Sequence, residues 1–169
     1  MKKITICGGG SLGHVCLGFL SSHDDYSVSL LTNHPEKWNR NITVTDIDGK
    51  QFKGTIEKLS SNPQDVIPGA DIVLFCLPGF LIKQTLEKVK PFLSPDTFVG
   101  SIVSSTGFFF FAHEVLGAKA KIFGFQRVPF IARVVEYGSK ANLLGYKASL
   151  NIAVENADNT EDFRQFIEK

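Results

Sequence analysis

The chain carries no surplus of one charge: 18 Lys+Arg stand against 17 Asp+Glu, for a formal net charge of +1. Nucleic acids and other polyanions are held by a basic excess, so they are set aside as its main partners. Cysteine is scarce, with Cys7, Cys16 and Cys76 the only three in 169 residues, none at a metal-binding distance in sequence from another. A disulfide framework or a cysteine zinc site is thereby excluded, and the three read as buried thiols of a reducing compartment. Apolar runs stay well short of the roughly 18 residues that would span a bilayer. The Met-Lys-Lys start meets Gly8 before a signal-peptide core could form. A soluble, cytoplasmic protein with no membrane partner is expected; a homo-oligomer is left open. What the chain does have is 43% hydrophobic residues over 169 positions. That is enough for one core and one ordinary domain.

The hydrophobic pattern alternates between strand and helix. Residues 3–7 form a β-rich run ending at Gly8-Gly9-Gly10, and 11–22 read as a helix with Leu12, Val15, Cys16, Phe19 and Leu20 at helical spacing. Gly13 and Gly18 would let that helix lie close to a sheet. Residues 27–31 are a second strand, completing a βαβ unit of the usual size. Strands at 42–46 and 51–57 flank Asp48-Gly49, a turn signal, and make a small antiparallel excursion. The alternation resumes with 70–77, apolar throughout as a strand covered on both faces would be. A helix at 80–92, a strand at 97–103, a helix at 108–116 and a strand at 121–126 follow. Strands at 130–136 and 148–154 would enclose a Gly-rich connection, and 160–169 read as a capped helix with Phe163, Phe166 and Ile167 on one face. The fold class expected is α/β, a Rossmann-type doubly wound sheet, mostly parallel. Phe108–Phe111 cannot all face one core, so at least one should point at a ligand, a partner or another domain.

Gly8-x-Gly10-x-x-Gly13 stands where the first strand gives way to the first helix. In that context the first glycine permits the turn, the second lets backbone approach a pyrophosphate, and the third packs helix on strand. Gly8, Gly10, Ser11, Leu12 and Gly13 are the candidate cofactor residues of this turn; a plain strand-to-helix turn is the alternative. NAD-binding sites carry an acid about 20 residues on, at the end of the second strand. Here that place is Thr32-Asn33-His34, with no carboxylate, and His34, Lys37 and Arg40 could meet a 2′-phosphate. This favours NADP over NAD, unless the three are simply surface residues of a loop. Leu77 and Pro78, and Ser104 with its neighbours Ser105 and Thr106, stand at the ends of later strands, where open α/β sheets bind ligands. His14 reads as a structural, hydrogen-bonded residue before it reads as an acid or base. No histidine has a partner for a triad, and no metal spacing is present. Residues 117–147 hold six basic side chains against one acid, Glu136.

The chain resembles the N-terminal domain of the octopine/nopaline dehydrogenases within the opine dehydrogenases. The resemblance rests on Cys7-Gly-Gly-Gly-x-x-Gly13-His14, on Leu31-Thr32 with Trp38 beyond, and on Gly107-Phe-x-Phe110 with Val115-Leu116-Gly117. It rests most of all on Pro129-x-x-x-Arg133, Glu136-x-Gly138 and Leu144-Gly145-x-Lys147. It implies an oxidoreductase that joins an amino acid to a 2-oxo acid with NADH or NADPH. It also implies a 2-oxo acid near Ser105 and Thr106, with Arg133, and less surely Arg127, pairing with its carboxylate. Residues 1–157 would be the NAD(P)-binding domain, and 158–169 the start of a helix leading to a helical C-terminal domain absent from this chain. That domain would hold the catalytic histidine and the amino-acid pocket, so no catalytic residue is assigned here and the 169 residues alone should not turn over. A ketopantoate reductase-type NADPH enzyme shares the glycine turn, but the 129–147 pattern argues against it. A non-catalytic dinucleotide-binding module is the reading from another class.

Overall fold

The protein is described by a computed structural model covering residues 1–168, apart from the side chains of Thr106, Asp162, Phe166 and Glu168. The expectations placed on the side chains of Thr106 and Phe166 lie outside these described residues. The opening unit is β1 (Lys2–Cys7), α1 (Ser11–Leu20) and β2 (Tyr26–Leu31), with β1 and β2 parallel from Lys2 beside Tyr26 to Cys7 beside Leu31. The short strand β5 (Leu59–Ser60) follows the excursion. Then come α2 (Pro63–Val66), β6 (Ile72–Phe75), α3 (Gly79–Val89), β7 (Phe98–Ser101), α4 (Phe108–Leu116), β8 (Ile122–Phe125), β11 (Ile152–Glu155) and α5 (Thr160–Glu168). The seven strands form one sheet in the order β11-β8-β7-β6-β1-β2-β5, parallel except for β11. The order reverses beside β1, which puts the switch point of the sheet over the glycine turn.

Both faces of the sheet are covered, which is why β6 is apolar at every position. Ile72 and Leu74 face a core shared with α1 and α5, while Val73 and Phe75 face one shared with α2, α3 and α4. Helix α5 enters the first of these cores through Phe163, whose ring lies 4.5 Å from Phe98 and 5.0 Å from Phe123. Each such aromatic contact adds about 0.5–1.5 kcal/mol to the burial itself.

The excursion does not stand alone. Strands β3 (Asn41–Thr45) and β4 (Gln51–Thr55) join β9 (Phe130–Glu136) and β10 (Lys140–Tyr146) in a second sheet ordered β4-β3-β10-β9. This corrects the reading of 137–147 as a connection and of 148–154 as a strand: β10 occupies most of the supposed connection, and β11 starts only at Ile152. A register shift between Leu143 and Gly145 breaks the alternation, with Gly138 before the strand and Gly145 within it, so its pattern reads as loop. The second sheet lies against α1, with Val15, Val44, Ala132, Ala141 and Leu143 in a core of their own. Helix α1 is therefore sandwiched. Its Gly18 meets the second sheet rather than the first, since a Cβ there would come 2.4 Å from Val44 Cγ2.

Candidate functional site

The three glycines of the turn have different neighbours. Gly8 has φ +120°, and a Cβ on it would lie 2.5 Å from the Cys76 carbonyl oxygen. A Cβ on Gly13 would lie 2.0 Å from the Gly8 carbonyl oxygen, so helix and turn touch backbone to backbone. Around Gly10 there is nothing within 4 Å of such a Cβ. Two glycines are thus required by the fold itself, while the middle one borders open space. Gly10 is also the N-cap of α1, which has no side-chain cap and no acid in its first turn. The free N–H groups of Ser11, Leu12 and Gly13 and the helix dipole suit an anion there.

His14, next to the third glycine, is fully buried. Its Nε2 accepts the Gly138 N–H at 2.8 Å, so the proton sits on Nδ1, which donates to the Gly10 carbonyl at 2.9 Å. The imidazole is stacked on Trp38 at 4.2 Å and meets Tyr137 edge-on at 5.2 Å. With both nitrogens used it is a structural link, as the sequence suggested. It ties the glycine turn to the hairpin between β9 and β10. Gly138, at φ +78°, is forced by the same contact, because a Cβ there would strike the Lys37 carbonyl oxygen at 2.1 Å. Trp38 Nε1 is buried without a hydrogen-bond partner among the described residues.

Burial holds the His14 pKa below the ordinary 6.5, against the opposing pull of the Gly10 carbonyl. The unfolded chain then takes up this proton first as pH falls, and stability declines below about pH 6.5 by up to about 1.4 kcal/mol per unit until the folded imidazole titrates. Urea unfolding from pH 7.5 to 5 should show this slope in the wild type and lose it in His14→Gln. Equal slopes would remove His14 as its source.

At the end of β2, Thr32 is buried while Asn33 and His34 are exposed. Pro35 starts a short turn of 3₁₀ helix that returns Glu36 to His34, with Nδ1 and Oε1 3.2 Å apart. The sequence reading counted no carboxylate here; the turn supplies one. The Glu36 backbone N–H, then His34 and Lys37, hold its carboxyl below the usual range, so it is charged at neutral pH. Arg40 is engaged elsewhere, donating to the Glu57 carbonyl at 3.3 Å.

Leu77 packs beside Gly8, and Pro78 caps α3 at the same edge. Ser104 donates its hydroxyl to the Phe125 carbonyl, which ties the end of β7 to β8, while Ser105 is exposed. Arg127 leaves β8 at this carboxyl edge. Arg133 alternates with the inward-facing Ala132 and projects from the face of the second sheet turned away from α1, between the exposed Ile131 and Val135. Arg127 follows β8 at the edge that Ser105 shares, whereas Arg133 stands within β9 of the second sheet. Of the four phenylalanines, Phe108 is fully buried and Phe110 is 81% exposed. The other histidines have other partners: His34 pairs with Glu36, His113 with Glu155, and His23 lies against Phe19 and Tyr26. A surface hollow of about 360 Å³ between α3 and α4, lined by Lys83, Glu87, Lys90, Glu114 and Val115, lies toward the far ends of both helices.

A family model described as ketopantoate reductase PanE/ApbA matches residues 4–107. The chain belongs to that family. The match ends before the 129–147 pattern, which the likeness to opine dehydrogenases does reach. The opine dehydrogenase of Haliotis discus hannai is 32% identical over 169 residues, covering 88% of this chain and 42% of that protein. Solved octopine dehydrogenase structures share the whole fold of the family member described here. That with NADH and L-arginine has TM-score 0.91 at 24% identity, and that with NADH and pyruvate 0.89 at 25%, each covering 100% of this chain and 47% or 48% of the other. Yersinopine dehydrogenase with NADP+ bound has TM-score 0.76 at 12% identity, over 95% of this chain and 43% of that one. The Rossmann-type reading is thereby established. The chain spans about two fifths of the length of the curated relatives it matches, at 41–44%.

Proposed function

We propose that these residues bind a nicotinamide dinucleotide along the carboxyl edge of the large sheet, as the cofactor domain of an opine-type oxidoreductase that joins an amino acid to a 2-oxo acid. The observation that carries this is the turn itself: Gly8 and Gly13 are locked by backbone contacts, and Gly10 opens onto empty space at an uncapped helix start. Gly8, Gly10, Ser11, Leu12 and Gly13 would hold the pyrophosphate. Thr32, Asn33 and His34 would line the adenosine end, and Leu77, Pro78 and Ser104 the nicotinamide end. Ser105, Thr106 and an arginine, Arg127 in preference to Arg133, would face the 2-oxo acid. When bound, the dinucleotide supplies the hydride; the chain's own part is to bind, orient and wall off one side. We assign no acid or base in these residues and place that group outside them.

The likeness to opine dehydrogenases supports the reading, and the ligands of the octopine dehydrogenase complexes, NADH, L-arginine and pyruvate, are of the chemistry it requires. Glu36 beside His34 weighs against the NADP preference, because a carboxylate at the adenosine end would repel a 2′-phosphate and accept ribose hydroxyls. Fluorescence titration should therefore show NADH binding at least as tightly as NADPH. No binding of either at millimolar concentration, to folded protein, would end the proposal. The family match favours a second reading, a ketopantoate reductase-type NADPH enzyme, which a clear NADPH preference together with ketopantoate reduction by the full-length protein would support.

A further inference from the structure

The second sheet ends its β9–β10 hairpin on the glycine turn, and the residue it delivers is Tyr137. A Cβ built on Gly9 would lie 3.0 Å from Tyr137 Oη and 3.1 Å from Thr32 Oγ1, so the two hydroxyls flank one point at the start of the turn. The phenol ring is held from behind, edge-on to Trp38 at 5.5 Å and to His14 at 5.2 Å. The next residue is held as well: Gly138 N–H donates to His14 and the Gly138 carbonyl accepts from Asn39 at 2.9 Å. Yet Tyr137 is 46% exposed, and its hydroxyl makes no hydrogen bond among the described residues. A fixed ring with a free donor beside Gly9 is more than hairpin packing requires.

We infer that Tyr137 Oη and Thr32 Oγ1 together hydrogen-bond the adenosine ribose of the bound dinucleotide. The inference rests on the proposed cofactor site and specifies its adenosine end. In the open α/β sheet the ribose nearest the second strand lies over the first glycines of the turn, which is where these hydroxyls meet. A hydroxyl serves a ribose as donor and as acceptor, and neither it nor Thr32 adds charge. The second sheet thereby gains a role in binding, since His14 and Gly138 set the height at which Tyr137 stands over the turn.

The test uses the 169-residue chain with NADH, and with ADP, 2′-deoxy-ADP and 3′-deoxy-ADP as fragments. Tyr137→Phe keeps the ring and its packing, so its thermal midpoint should match the wild type. Its affinity for NADH and for ADP should fall about five- to thirty-fold, the loss of one hydrogen bond to a ligand. One of the deoxy fragments should bind wild type and Tyr137→Phe equally, because the partner of the hydroxyl is then missing already. Nicotinamide mononucleotide should not distinguish the two proteins. Unchanged ADP affinity in Tyr137→Phe, or an equal loss for ADP and both deoxy fragments, would overturn the assignment while leaving the cofactor site standing. Wild-type protein that binds neither NADH nor ADP would instead overturn the site, and the inference with it.

Discussion

Gly10→Val is expected to leave the protein folded and to lower dinucleotide affinity by more than about a hundredfold, whereas Gly13→Ala is expected to destabilise the fold itself. The motif gives the two positions different parts, and their surroundings differ accordingly. A Cβ on Gly10 would meet no protein atom within 4 Å, so the branches of a valine there start into the space proposed for the pyrophosphate. At the N-cap a β-branched residue in place of glycine costs the helix on the order of 1 kcal/mol, which a domain of this size withstands. At Gly13 the first added carbon would stand 2.0 Å from a backbone carbonyl, and neither partner can swing away as a side chain could. Overpacking of flexible groups costs about 1–3 kcal/mol, and a clash between fixed backbones should reach at least the upper end. Thermal unfolding and NADH titration of both variants separate the effects. A Gly10→Val protein that binds NADH normally would show that the open space is not the phosphate site. A Gly13→Ala protein as stable as wild type would show that turn and helix are not in the contact described.

That contrast marks how far the sequence could be read. The βαβ unit, the doubly buried β6 and the antiparallel excursion followed from periodicity, because each is a local pattern with one dominant face. The Gly-x-Gly-x-x-Gly spacing located the turn and the part each glycine plays in it, but not the contacts that enforce those parts, which depend on Cys76 and Gly8 being brought against α1 across the sheet. β10 was lost to a register shift between Leu143 and Gly145 and to glycines before and within it, features that spell loop in one dimension. Its pairing with β3, about a hundred residues earlier, has no local signal at all. The carboxylate beside Thr32-Asn33-His34 is hidden for the same kind of reason: only the turn that Pro35 initiates brings Glu36 back to His34. His14, Trp38 and Gly138 entered the sequence reading as separate points of family resemblance. In space they are one cluster.

Trp38→Ala is expected to be the most destabilising single substitution in that cluster, and Trp38→Phe among the mildest. Trp38 is 8% exposed, its ring lies 4.2 Å from that of His14 and 5.5 Å from that of Tyr137, and the ring edge packs over Gly9. Deleting the ring removes large apolar area and leaves a cavity between Gly9, His14 and Tyr137, for a cost of about 3–5 kcal/mol. In a chain of this length that lowers the thermal midpoint by on the order of 10 °C. Phenylalanine loses part of the contact but also removes the indole N–H, which is buried with no partner among the described residues and costs about 1–3 kcal/mol where no other group reaches it. The two terms offset, so Trp38→Phe should lie within about 1.5 kcal/mol of wild type. The cluster also carries the hairpin that supports Tyr137, so Trp38→Ala should weaken ADP binding well below its own unfolding temperature, while Trp38→Phe keeps it. Urea titrations of the three proteins, with ADP affinity measured at 10 °C, give both readouts. A Trp38→Phe protein as unstable as Trp38→Ala would mean that the indole nitrogen has a partner after all and that the ring is held by it rather than by packing.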